Sequence, residues 1–215
     1  LTERLVQVHS PLGPEVLLFQ ALQGREALSQ PFELQVDVVC NTPLLDLRSL
    51  LGESLSLEIK TPFAVPRFLD GRISAFRLMG KTGRSDRFYT YRATLRPWLW
   101  FLSQNMDSRI FQEKTVPEVL QDVLGRYPFA WESRLTQDYP RQTYCVQYQE
   151  SDFQFISRLM EQEGIFYFFE HQADKHILNI CDNAAAYQTL DDEVLEHSSG
   201  SRGKKYINSW QHRFQ

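Results

Sequence analysis

A chain of 215 residues is long enough for one large domain or two small ones, and its 42% hydrophobic and 13% aromatic residues are typical of a folded globular protein. The net charge of −4 gives no support for nucleic-acid binding, so we expect no nucleic-acid partner. The acidic excess lies in the second half of the chain, which indicates two structural units.

Three cysteines, Cys40, Cys145 and Cys181, stand among apolar neighbours without a paired spacing. This pattern predicts buried thiols in a protein that folds in a reducing cytoplasm. The sequence shows neither a basic-then-apolar leader nor a long apolar run, so we expect no signal peptide and no transmembrane helix. The chain begins without methionine and stops inside a strand-like pattern, from which we expect a fragment of a longer protein.

The first hundred residues are dominated by strand patterns. Residues 5–9 and 16–22 flank a turn rich in proline and glycine, which predicts an opening hairpin. Apolar and polar residues alternate over 32–40 and 54–60, and an aromatic, β-branched run follows over 88–95. The inward face of the first of these strands would comprise Phe32, Leu34, Val36 and Val38. Strands spaced this closely, with few helices, predict a sandwich or a barrel.

Between these strands the patterns are shorter. Residues 46–51 predict one helical turn, and residues 69–79 predict a strand. One face of that strand would comprise Ile73, Ala75 and Arg77. Residues 80–86 predict a polar loop; they contain the letters Gly-Lys-Thr-Gly, but the spacing of a phosphate-binding loop is missing, which favours a simple turn.

After residue 100 the composition changes and a first capped helix is predicted. Thr115, with Glu118 three residues later, has the spacing of a capping box, so we expect a helix over 115–125. Short strands are predicted over 129–132 and 144–148 on either side of a polar loop.

A second capped helix and a hairpin follow. Ser151 and Gln154 form another capping-box pair, and Gly164 ends a helix over 151–163. Its apolar face would comprise Phe153, Ile156, Leu159 and Met160. Residues 165–169 are apolar throughout, which predicts a strand buried on both faces, and a polar turn leads to a returning strand that ends near Asp182.

The remaining sequence is loosely patterned. Residues 183–205 show no sustained period and predict a long irregular connector. Residues 206–214 predict one last strand.

Metal binding has one candidate set, His171, His176 and Cys181, at intervals of five residues. On a hairpin these side chains can approach one another, and histidine and cysteine suit zinc. The interval matches neither a zinc-finger loop nor a helical pair, so a solvated hairpin tip with one core cysteine is favoured. We therefore expect no metal site.

Acidic residues form two groups: Asp191, Asp192, Glu193 and Glu196, and, around the second helix, Glu161, Glu163 and Glu170. A glycosidase needs two carboxylates about 5–10 Å apart in a cleft, and the sequence places no such pair. A solvated acidic face is favoured, and a cell-wall hydrolase is the alternative. No nucleophile elbow is present, so we expect no catalytic residue and no cofactor.

Basic residues follow two neighbouring strands and their loop: Arg67, Arg72, Arg77, Lys81, Arg84, Arg87, Arg92 and Arg96. With aromatic residues nearby, such a stripe can bind single-stranded nucleic acid. Asp70 and Asp86 interrupt the stripe, however, and the net charge is negative. A solvated sheet face, a lumen face or a protein-contact face is therefore favoured.

Three ordered stretches carry a resemblance to a known family. They are residues 24–34 (GREALSQPFEL), 107–112 (DSRIFQ) and 151–169 (SDFQFISRLMEQEGIFYFF). Together they resemble the N-terminal hub region of VgrG proteins, which form the spike of the type VI secretion system and are similar to the baseplate hub of contractile phage tails. The resemblance covers nearly the whole chain and is weakest over 184–205.

The resemblance implies a mainly β fold with a few helices (α+β), in which two tail-tube-like β-barrel domains form a phage-hub-like region. We expect the first barrel at residues 1–108 together with 206–215, and the second at residues 109–205 with the two helices.

The resemblance also implies a structural, non-enzymatic role. The chain would be a homotrimer that docks on the hexameric tube protein Hcp and on baseplate components, and carries a needle that pierces target membranes. Effector cargo would be delivered through C-terminal regions beyond this chain, and the spike would assemble in the cytoplasm and leave without a signal peptide. The baseplate hub of a contractile phage tail or phage-derived particle is the alternative.

Overall fold

The computed structural model describes residues 4–42, 45–61, 64–82, 88–187, 196–197 and 206–207. Its largest element is a six-stranded antiparallel sheet in the order β1-β4-β5-β6-β3-β2. The strands are β1 (Val6–His9), β2 (Leu18–Ala27), β3 (Gln30–Cys40), β4 (Ser54–Thr61), β5 (Ala64–Thr82) and β6 (Phe88–Arg96). The edge strands β1 and β2 contact each other, so the sheet curls toward a barrel.

Alternating side chains build the inner face of this sheet. Along β3 every second residue is buried, and the predicted inward residues Phe32, Leu34, Val36 and Val38 are confirmed. The predicted strand over 54–60 is confirmed as β4, with Leu55 and Leu57 fully buried. The strand predicted over 88–95 is confirmed as β6.

The predicted opening hairpin is wrong. β1 pairs with β4, and β2 pairs with β3, so the two strands lie at opposite edges of the ladder. Residues 10–17 connect the two strands. The alternation predicted the strands, but their pairing depends on how the sheet closes, which local turn residues do not determine.

The strand predicted over 69–79 is longer than expected, because β5 continues through the start of the predicted polar loop to Thr82. Residues 83–86 of that loop lie outside the described residues. The predicted face of Ile73, Ala75 and Arg77 is also wrong. A register shift at Ser74 moves Phe76 into the core beside Ile73 and leaves Ala75 and Arg77 exposed. Residues 46–51 form a hydrogen-bonded turn and no helix.

The second part of the chain begins with a 3₁₀ helix at Trp98–Ser103. Its further elements are β7 (Asp107–Lys114), α1 (Val116–Leu124), β8 (Trp131–Arg134), β9 (Gln142–Glu150), α2 (Asp152–Gln162), β10 (Phe166–His171), β11 (His176–Cys181), a 3₁₀ turn (Ala184–Ala186), β12 (Glu196–His197) and β13 (Tyr206–Ile207). β7 pairs with β9, β12 pairs with β13, and β10-β11-β8 form a three-stranded sheet.

Both predicted helices are confirmed, each with a complete capping box. The buried face of α2 differs by one residue from the prediction, since Phe155 is fully buried and Phe153 only half-buried. Gly164 has φ of +69°, the left-handed conformation that ends the helix. Positions 153 and 155 both hold phenylalanine, so the sequence alone does not determine which ring faces the core. Packing against β7 determines it, because Phe155 stacks on Phe111.

Burial on both faces was predicted for residues 165–169, and the structure assigns it to the returning strand instead. In β10 only Tyr167 and Phe169 are buried, whereas all six residues of β11 are buried. β10 is an edge strand and β11 lies between β10 and β8, which explains the difference.

One continuous hydrophobic core joins both parts of the described chain. A closed second barrel, and the division into residues 1–108 with 206–215 and residues 109–205, stay predictions. The predicted connector over 183–205 and last strand over 206–214 lie largely outside the described residues; β13 pairs with β12. In the described part of the chain, no helix has the length and apolar character required to cross a membrane.

Candidate functional site

The structure brings the three sequence stretches into direct contact. Ser29 donates its backbone N–H to the Tyr167 carbonyl at 2.9 Å, which joins residues 24–34 to residues 151–169. The rings of Phe32 and Phe169 meet edge to face with centroids 5.2 Å apart. Arg109 binds the Asp152 carboxylate, which joins residues 107–112 to the same stretch. Two of the three stretches, residues 24–34 and 151–169, therefore join the two parts of the chain, and residues 107–112 are tied to α2 within the second part.

A buried polar pair lies at the centre of this junction. His176 on β11 donates from Nδ1 to Asp70 Oδ1 on β5 at 2.6 Å, and both side chains are about 1% exposed. The hydroxyls of Ser54 and Ser56 donate to the other carboxylate oxygen. On the far side of the ring, the Trp98 backbone N–H donates to His176 Nε2 at 2.8 Å.

Protonation in this pair follows from its contacts. Burial lowers the pKa of His176 and outweighs the opposite effect of Asp70, so the ring is neutral. For Asp70, burial alone raises the pKa, but hydrogen bonds from His176, Ser54 and Ser56 outweigh it and lower the pKa. The neutral ring matches the geometry, since Nε2 needs its lone pair to accept from Trp98.

Serine, histidine and aspartate thus lie side by side here, but their hydrogen bonds are not those of a hydrolase catalytic triad. A general base must have a free ring nitrogen beside the nucleophile. Both nitrogens of His176 are already occupied, and both serine hydroxyls point at the carboxylate rather than at the ring. The arrangement therefore fixes β11 and the 3₁₀ helix against the six-stranded sheet.

A second buried carboxylate organises the start of α2. Asp152 accepts from Arg109, from Gln147 at 2.9 Å and from the Tyr127 hydroxyl at 2.8 Å. Burial, followed by the hydrogen bond to Asp152, raises the pKa of Tyr127 to about 12. Burial also raises the pKa of Asp152, but its hydrogen bonds and Arg109 outweigh that effect and lower the pKa. This network ties β7, β9 and α2 together.

The candidate zinc ligands do not converge. His171 lies opposite His176 at the tip of the β10–β11 hairpin, with ring centroids 6.2 Å apart, while Cys181 lies opposite Phe166 at the far end. His171 accepts from the Asp70 backbone N–H at 3.0 Å. Across the described ranges, no three histidine, cysteine or acidic residues form a group that could hold a metal ion.

The acidic candidates are dispersed. Glu161 and Glu163 lie on the surface at the end of α2, and Glu170 forms an ion pair with Arg134 at 3.0 Å. Residues 191–193 lie outside the described residues, and only the backbone of Glu196 is described.

Two residues of the basic stripe, Arg92 and Arg96, form ion pairs on the outer face of the sheet. Arg92 binds Asp37 through two hydrogen bonds, of 2.6 and 2.8 Å, and Arg96 binds Glu33. Arg72 lies over the Phe129 ring at 4.9 Å. Arg77 and Lys81 are exposed, and Arg84 and Arg87 lie outside the described residues. The acidic partners are the outward residues of β3, which an alternating pattern places on the same face.

The described surface also contains an open cleft of about 480 Å³ beside the junction. It lies between the β2–β3 turn and β10, and its lining comprises Glu26, Ala27, Leu28, Phe168, Phe169, Glu170 and Tyr187. No local pattern in the sequence predicts it, because the two walls are about 140 residues apart in the chain and are joined by long-range contacts such as Ser29–Tyr167.

This fold and junction define a class, the phage tail baseplate hub. The family model for phage tail baseplate hub (GPD) proteins matches residues 25–215, and the chain belongs to that family. Within it, the resemblance to the hub region of VgrG spike proteins is confirmed. The type VI secretion system spike protein VgrG1a of Pseudomonas aeruginosa is 44% identical over 187 residues, which cover 86% of this chain and 29% of the relative.

Another curated relative carries the VgrG name and is also much longer than this chain. The actin cross-linking toxin VgrG1 of Vibrio cholerae is 30% identical over 95% of this chain and 20% of its own length. The chain thus spans less than a third of these curated relatives. Among solved structures, the E. coli c3393 protein, a type VI secretion component, superposes with a TM-score of 0.73 at 23% identity, covering 86% of this chain and 50% of that one. That likeness supports the fold.

Proposed function

We propose that this chain is the structural hub of a trimeric type VI secretion spike, which docks on the hexameric tube protein and carries the needle that pierces target membranes to deliver effectors. The observation that carries the proposal is the 44% identity to a VgrG spike protein across the portion that folds as a hub. Assembly in the cytoplasm and export without a signal peptide belong to the same proposal.

The proposed role is non-enzymatic. Ring-forming proteins need rigid domains with fixed contacts; the Asp70–His176 pair supplies rigidity at the junction, and the Arg109–Asp152 pair supplies it within the second part. The serine, histidine and aspartate that meet at the junction are all engaged in structural hydrogen bonds. Any toxin activity, as the name of the Vibrio cholerae relative states for that protein, would come from sequence outside this chain.

Co-sedimentation with the tube protein tests the docking. The whole coding sequence that contains this chain is expressed, mixed with purified hexameric tube protein and centrifuged on a gradient. We expect the two proteins to move together as one complex. Separate bands at every concentration would overturn docking on the tube.

A phage-derived baseplate hub is the second candidate, because the family model describes phage tails and a tail protein of Neisseria meningitidis MC58 shares the fold with a TM-score of 0.54. The identity of the neighbouring genes distinguishes the two. Sheath genes together with secretion ATPase and membrane-complex genes support the secretion spike, whereas capsid and lysis genes support the phage particle.

A further inference from the structure

The cleft beside the junction has an apolar lining that is open to solvent. Leu28 is 51% exposed at the β2–β3 turn, and Tyr187 is 48% exposed on the opposite wall. The Tyr187 ring stacks on Phe166 with centroids 5.3 Å apart, so this wall is held in place. Two hydrogen bonds between Ser29 and Tyr167 fix the other wall. A preformed cleft with exposed apolar walls is a feature of protein contact sites.

Two of the residues that line the cleft, Glu26 and Glu170, are acidic. Arg134 faces both Glu132 and Glu170, at 3.1 and 3.0 Å, so one cation serves two carboxylates. Glu26 on the other wall lies 3.5 Å from the His171 Nε2 atom. An occupant that presents aliphatic side chains with flanking cations would match both properties of the cleft.

The far end of β5 has the complementary composition. Leu78 and Met79 are each 48% exposed, and Arg77 and Lys81 beside them are also exposed. β4 pairs with β5 only as far as Arg72, so the later part of β5 has β6 on one side and, within the described ranges, no strand on the other. This end of the strand therefore presents side chains on both faces and a free backbone edge.

One chain cannot place its own β5 end in its own cleft. β5 passes the cleft at Asp70, whose N–H binds His171, and reaches Met79 nine residues later. At about 3.3 Å per strand residue, this separates the two surfaces by roughly 30 Å. A contact between them must join two copies head to tail, which is the type of interface that closes into a ring.

We infer that the cleft of one copy receives Leu78 and Met79 of a second copy, with Arg77 and Lys81 facing the carboxylates of Glu26 and Glu170. This inference rests on the proposed trimeric hub and assigns the contact between its subunits. The occupant is a second copy of the chain because the cleft and the far end of β5 are complementary: both surfaces are apolar, and one is flanked by acidic and the other by basic residues.

Disulfide trapping tests the contact. Leu28→Cys and Met79→Cys are introduced together, and the chain is fused at its C-terminus to a trimerising domain, which raises the local concentration of copies. The native cysteines Cys40, Cys145 and Cys181 are buried and do not compete. On mild oxidation we expect dimers and trimers joined by disulfides and no larger species. The matched control combines Leu28→Cys with Asp138→Cys, an exposed loop position, and should stay uncrosslinked.

Charge exchange provides the second measurement. Glu26→Arg or Arg77→Glu alone should lower the crosslinking yield at least tenfold, and the two together in one chain should restore it, since like charges repel and the exchanged pair attracts. Circular dichroism of each variant checks that the fold is retained.

Lack of crosslinking in the Leu28→Cys and Met79→Cys chain, or lack of rescue by the exchanged pair, would overturn the inference. So would crosslinking of the Leu28→Cys single variant to added tube protein, because that result gives the cleft a different occupant. In each of these cases the proposed hub function stands if the unfused whole protein sediments with the tube. If the unfused protein neither trimerises nor binds the tube, the proposed function fails instead.

Discussion

Each of the two parts of the described chain is stabilised by a different kind of interaction. The six-stranded sheet, from β1 to β6, depends on alternating side chains such as Leu55 and Leu57, which are fully buried. The part after residue 98 has shorter strands, and two buried networks, centred on Asp152 and His176, hold them. The alternating pattern of a long strand is therefore enough to specify its register, whereas short strands need directional hydrogen bonds to fix their position.

The largest effect should come from the Asp152 network. Asp152→Ala leaves Arg109 buried without its carboxylate and removes one acceptor of Gln147 and the acceptor of the Tyr127 hydroxyl, so we expect the free energy of unfolding to fall by about 3–5 kcal/mol. Urea denaturation followed by circular dichroism measures it. A loss below about 1 kcal/mol would show that the network does not stabilise this part.

A substitution that creates a cavity in the six-stranded sheet serves as the comparison for Asp152→Ala. Leu57→Ala removes a fully buried side chain, and we expect a loss of about 2–5 kcal/mol in the same denaturation experiment. Because one hydrophobic core joins both parts, a single transition should shift in both variants. Two separate transitions, each moved by only one of the substitutions, would show that the parts unfold independently.

The pH dependence of stability should come next. The pKa of His176 is lowered in the folded protein, so the unfolded chain takes up the proton first as the pH falls. Stability is then full above about pH 7 and declines below the ordinary histidine value of about 6.5, by at most about 1.4 kcal/mol per pH unit. The lowered pKa values of Asp70 and Asp152 add a further loss below about pH 3.8.

His176→Gln tests the origin of that slope. The variant should be less stable at neutral pH and should lose the decline between about pH 6.5 and 5, because the titrating ring is gone. Thermal unfolding over pH 4.5 to 8 measures both chains. An unchanged slope in the variant would assign the dependence to another group.

The smallest effect should come from a helix cap. Thr115→Ala removes the hydroxyl that accepts from the Glu118 N–H at 3.3 Å, and we expect a loss of about 1 kcal/mol. Thr143→Ala, at an exposed strand position, is the matched control and should lie within about 0.5 kcal/mol of the parent. Equal losses in the two variants would show that the cap contributes nothing specific.

Local chemistry predicted the elements well and their partners poorly. Capping boxes at Thr115 and Ser151 and the alternation of β3 are set by neighbouring residues, so the sequence displays them directly. The pairing of β1 with β4 and the register shift at Ser74 depend on how the whole sheet closes.

The junction shows the same limit more sharply. The sequence offers His176 only as a zinc ligand together with His171 and Cys181, yet its partner Asp70 lies 106 residues away. Asp152 follows directly after the N-cap Ser151, where a carboxylate favours the helix start, whereas its partner Arg109 lies in another family stretch. Arg109 and Asp152 both lie in stretches that resemble the same family, and this was the only sequence signal for their contact.

Native mass spectrometry of the whole protein containing this chain tests the proposed trimeric hub. We expect a species of three copies that persists on dilution and gains the mass of one hexamer when tube protein is added. A monomer at every concentration, with no added mass in the presence of the tube protein, would contradict it.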